Sequence, residues 1–89
     1  MKELYKIYLK DSKKSFMATG NTTHYDGNKI LSQPFALSIV QYDSDSGFYL
    51  FYLDKSGKEQ TDTYHESIEG AFKQAEFEFG VKKEDWIKL

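Results

Sequence analysis

At 89 residues, the chain is expected to form one domain, residues 1–89, with one small core and no deep enclosed cofactor cavity. Aromatic residues make up 17% of it, too many large rings for a disordered segment, and the absence of cysteine excludes disulfides, thiolate catalysis and cysteine-based metal centres. The net charge is −2 and all twelve basic residues are lysine, a balance unlike that of nucleic-acid binders, which rely on arginine for phosphate and guanine recognition.

The first element is a strand. Tyr5, Ile7 and Leu9 alternate with Lys6, Tyr8 and Lys10, the period of a half-buried strand. The Asp11–Lys14 turn leads to a short strand, Ser15–Thr19, read as the return arm of a hairpin. The irregular stretch 20–29 follows. It contains Asp26-Gly27, a turn signal compatible with a hairpin pairing Thr22–Tyr25 with Asn28–Leu31. Pro34 opens the next strand, where a missing N–H is tolerated. Phe35, Leu37, Ile39 and Gln41 share one face of it; Ala36, Ser38, Val40 and Tyr42 share the other.

After the Asp43–Gly47 turn, Phe48-Tyr49-Leu50-Phe51-Tyr52-Leu53 is apolar on both faces, as expected of a central strand covered on one side by a helix. Asp54–Gly57 fits a type I turn with a glycine bulge. Gln60–Tyr64 is polar and threonine-rich, suited to an edge. The period then changes to that of a helix. Ile68, Ala71, Phe72, Ala75 and Phe79 fall within about 60° of one line on a helical wheel. Ser67 is the natural N-cap and Gly80 the natural stop, with Val81 folding back on the last turn. Trp86 is expected to pack beside the sheet. Hairpin-length turns imply antiparallel pairing. The expected fold is therefore α+β: an antiparallel sheet of four to five strands with one amphipathic helix packed on one face, in two layers.

Several patterns resemble chemistry without supplying it. Asp43-Ser44-Asp45-Ser46-Gly47 lacks the fifth-position ligand and the terminal Glu of a calcium loop, so it reads as a turn. No phosphate loop, dinucleotide fingerprint or serine nucleophile elbow is present, so no catalytic residue and no cofactor is expected. His24 and His65, each near carboxylates, are the groups an enzymatic, small-ligand or metal site on the 20–29 loop would use. Local hydrogen bonding is the better reading of each. The two are expected to lie too far apart to share a metal. Added zinc should accordingly leave the melting temperature unchanged, since a ligand of the native state must raise it. A saturable rise lost in His65→Ala would contradict this.

Charge divides unevenly along the chain. Residues 1–42 carry six lysines against three acids, a net +3, and residues 43–89 six against eleven, a net −5. The second half thus presents an acidic surface that suits a basic partner. On the helix wheel Phe77 lies opposite the core stripe, with Gly70, Glu66, Glu69 and Lys73 around it. An aromatic residue with a charged rim is how interaction hot spots are built. The alternative is that the tail, through Trp86 or Ile87, covers Phe77 within the chain.

The block from Thr61 through Tyr64-His65-Glu66-Ser67 and Gln74-Ala75-Glu76-Phe77 to Trp86, together with Gly47–Tyr52, resembles small bacterial proteins, some of them similar to toxin-immunity proteins. The resemblance spans the second half of the chain. It implies a small cytoplasmic protein without catalysis, acting on a protein partner such as a toxin. No apolar run approaches the roughly 20 residues of a membrane helix, and the charged N-terminal residues read as strand rather than leader, so the expected compartment is the cytoplasm. A homodimer through an uncovered sheet face is a further alternative.

Overall fold

The computed structural model describes residues 2–9, 25–26, 29–30 and 33–89. The strand read at 15–19, His24 and most of the 20–29 loop lie outside the described residues. Strand β1 is Lys2–Tyr8, and β2 (Tyr25–Asp26) and β3 (Lys29–Ile30) form a small ladder of their own. Strands β4 (Ala36–Gln41), β5 (Phe48–Leu53) and β6 (Glu59–His65) precede helix α1 (Ile68–Phe79). A 3₁₀ turn at Lys83–Asp85 leads to β7 (Ile87–Lys88). The main sheet is antiparallel throughout, with five strands in the order β6-β5-β4-β1-β7. This is the expected α+β architecture.

The helix ends where its caps dictate. The Ser67 hydroxyl accepts the Gly70 N–H at 3.2 Å. Gly80 adopts a left-handed φ of 71° and donates its N–H to the Glu76 carbonyl at 2.8 Å, a conformation that costs a β-carbon-bearing residue free energy. Val81 is fully buried behind it. The Asp54–Gly57 turn also forms as expected, with the Gly57 N–H on the Asp54 carbonyl at 3.0 Å.

Alternation sorts the strands into two faces. Ile7, Leu9, Leu37, Ile39, Leu50 and Tyr52 lie under α1, against Ala71, Phe72, Ala75 and Phe79. Leu50 faces the helix as its position requires, whereas Tyr49 lies on the opposite face with Ala36, Val40, Phe51 and Leu53. Neighbouring residues of a strand point to opposite sides.

Register and burial refine the remaining expectations. β1 pairs with β4 along its length and with β7 at Tyr5 and Lys6. β4 is buried on both faces and so takes an interior place, with a neighbour on each edge. In the small ladder Asp26 pairs with Lys29 and Tyr25 with Ile30, so Asp26 belongs to the ladder rather than to the turn. Finally, the second sheet face is not open along its length. Ala36, Ser38, Val40, Phe51 and Leu53 are all under one-tenth exposed within the single chain. What remains exposed on it lies toward its two ends, at Tyr8 and at Tyr42 and Tyr64.

Candidate functional site

The outer face of α1 carries the residues singled out from the sequence. Glu66, Glu69, Lys73, Glu76 and Phe77 are exposed, and Gly70 is half-buried among them. Phe77 is 52% exposed. The tail does not cover it. Trp86 packs on Phe72, ring centroids 5.8 Å apart, and Ile87 pairs with Lys6 of β1. Glu69 meets Lys83 at 3.4 Å with both side chains more than half exposed, a pair worth little in stability. Gly70 leaves a notch in the helix surface that is lined by a histidine: a β-carbon there would lie 3.4 Å from both Cβ and Nδ1 of His65.

Below Phe77, on the flank of α1 that leans over β6, lies a polar seam that the sequence reading missed. Glu78 is 3% exposed. Its Oε1 accepts the Tyr52 hydroxyl at 2.6 Å and the Gln74 amide at 2.5 Å. The Thr63 hydroxyl and the Gln74 amide also lie against the Tyr52 hydroxyl. Thr63 Oγ1 is in turn 2.8 Å from His65 Nε2. Burial, reinforced by the hydrogen bond to Glu78, holds the Tyr52 phenol far above its ordinary range, so it stays a donor at any physiological pH. A signal existed for this. Glu78 follows Gln74 by four residues, on the edge of the core stripe, and Tyr52 is an inward position of an apolar strand.

Burial pushes the His65 imidazole below its ordinary value, with the Glu78 carboxylate partly opposing. Its folded pKa therefore lies under the unfolded one, about 6.5. The unfolded chain binds the proton more readily, so stability is full above that value and falls as pH drops through the folded pKa. His65→Gln is expected to flatten the pH dependence of the denaturation midpoint between roughly pH 7 and 5. An unchanged slope would show that His65 does not titrate as its surroundings require.

The seam joins the two layers of the fold. Both ends of Tyr52, its ring against Phe79 at 6.2 Å and its hydroxyl on Glu78, tie α1 to the sheet. A cleft of about 390 Å³ at the Asp54 turn is lined by Gln33, Pro34, Phe35, Ser56 and Gln60, away from His65. Among the described residues no group of three His, Asp or Glu side chains is placed to hold a metal, and no helix is long and apolar enough to cross a membrane.

No family model, curated protein or solved structure matches this chain. Function therefore rests on the surface itself. Of the surfaces described above, the outer face of α1 combines a large apolar ring with Glu66, Glu69 and Glu76, set against Lys73 and, on Glu69, Lys83.

Proposed function

We propose that the chain is a small non-catalytic protein-binding module, immunity-like in manner, whose contact surface is the acidic outer face of α1 centred on Phe77. The observation that carries this reading is the 52% exposure of Phe77 on a helix whose other phenylalanines, Phe72 and Phe79, are buried. A ring presented among carboxylates suits a partner with an apolar recess and a basic rim. The carboxylates then steer encounter and select the partner, while the ring supplies the buried contact. The resemblance of Gly47–Tyr52 and of the block from Thr61 to Trp86 to small bacterial proteins, some of them similar to toxin-immunity proteins, agrees with a partner of toxin type. Such a protein acts by occupying its partner, which requires no catalytic group of its own.

Capture from lysate tests this. Phe77→Ala should change unfolding free energy by no more than about 0.5 kcal/mol, as exposed substitutions do. It should also lose the partner that the wild-type chain retains, whereas Lys88→Glu, on β7, should keep it. Unfolding of Phe77→Ala at much lower denaturant, with capture per folded molecule intact, would show Phe77 to be a packing residue instead.

A further inference from the structure

On the sheet face opposite α1, three tyrosines form a row at one end. Tyr49 of β5 is the middle one. Its ring meets that of Tyr42 at 5.2 Å and 82°, and that of Tyr64 at 5.2 Å and 66°. The middle of this face is buried, but Tyr42 is 38% and Tyr64 51% exposed at this end, as Tyr8 is 40% exposed at the other. Two of the three rings are thus partly open to solvent at one end of the sheet.

The row is held in place by the turn beneath it. A β-carbon at Gly47 would lie 2.2 Å from the Tyr64 ring, so that ring rests directly over glycine backbone. Asp45 fixes both the turn and the central ring: its Oδ1 accepts the Gly47 N–H at 2.9 Å and its Oδ2 accepts the Tyr49 hydroxyl at 3.1 Å. Edge-to-face packing of the outer rings on Tyr49 limits their rotation. The surface is therefore largely preformed.

Its charge is one-sided. Asp43 and Asp45 sit in the turn, and Asp62 stands two residues before Tyr64, on the same face of β6. β4, β5, β6 and the 42–47 turn contain no lysine or arginine, so the described cation beside the row is Lys2 of β1, which pairs with Gln41. An aromatic ring attracts a cation through the negative potential of its face. Carboxylates beside it strengthen that attraction and repel anions. Lysine and arginine side chains fit this best, because their apolar stems can lie on the rings while their heads reach the acids.

We propose that the Tyr42–Tyr49–Tyr64 row binds the cationic side chains of a lysine- and arginine-bearing segment of a protein partner. The surface lies on the opposite layer from the outer face of α1. It shares with the proposed function only the premise of a protein partner, and it can stand or fall without Phe77.

The test is a titration of the folded chain with a short peptide of alternating lysine, arginine and glycine, followed by the ring proton resonances of the tyrosines. Saturable shifts are expected in Tyr42, Tyr49 and Tyr64, weakening as salt is raised. Tyr64→Phe keeps a ring and should keep binding. Tyr64→Leu keeps apolar bulk without a ring and should weaken it about tenfold. If Tyr64→Leu does not fold, Tyr42→Leu, just beyond the end of β4, carries the same comparison. Phe77→Ala should bind the peptide like the wild type even where it loses the lysate partner, which separates failure here from failure of the helix reading. The absence of saturation below about 1 mM, equal binding by the Leu and Phe variants, equal binding of a glutamate peptide, or loss of the peptide shifts in Phe77→Ala would each overturn the proposal. So would self-association of the chain that Tyr64→Leu abolishes, since the row would then belong to a second copy.

Discussion

Phe72→Ala is expected to lower the unfolding free energy by about 3–5 kcal/mol, the range for truncating a buried phenylalanine. Phe72 is 6% exposed and stands where three elements meet. The Tyr5 ring of β1 meets it edge-on at 5.1 Å, Trp86 of the tail packs on it at 5.8 Å, and the Lys83 ammonium lies over its ring at 5.6 Å. Removing the ring leaves a cavity that α1, β1 and the tail can close only by moving together. Domains have about 5–15 kcal/mol in total, so the variant should be marginal. Its denaturation midpoint should fall sharply. Trp86, the chain's one tryptophan, should show red-shifted fluorescence under native conditions. A midpoint near wild type would mean that α1 is not seated on β1 and the tail as described.

The second large effect is expected at Tyr52→Phe, about 1.5–3 kcal/mol. Only one oxygen is lost. That oxygen donates to a carboxylate buried under the helix, and Glu78 would keep only the Gln74 amide of the two donors described. A buried charge that loses a donor is penalised more than an exposed one. In the Glu78→Leu background the same Tyr52→Phe change should cost much less, because the charge is gone. A double-mutant cycle by urea denaturation measures the difference. Additive effects would show that the Tyr52–Glu78 contact is not energetically coupled.

These two sites differ in how readable they were. Phe72 announces itself through the 3.6-residue period it shares with Ile68, Ala75 and Phe79, and Ser67 and Gly80 mark the ends of that helix. Both are local signals, and local signals survive folding. The six residues of β5 were legible for the same reason: a doubly apolar run between two turns has few other uses. Glu78 was not legible, because a glutamate on a helix is by default solvated. Its burial depends on Tyr52 lying across from it, 26 residues away in the chain. β7 is two residues long and exists only because β1 offers it an edge. The tyrosine row was hidden too. Tyr49 and Tyr64 sit in two different strands and Tyr42 just past the end of a third, and only the register that sets Tyr49 opposite Tyr64 brings their rings together. In the candidate contact face, the exposure of Phe77 was readable from the wheel, whereas the filling of the Gly70 notch by His65 was not.

The most direct test of the account is the dissociation constant of the captured partner for Phe77→Ala relative to wild type, measured by calorimetry on proteins of matched melting temperature. The account predicts weakening of about tenfold or more, the scale on which a central aromatic contact acts. An unchanged constant, with Phe77→Ala as stable as wild type, would contradict it.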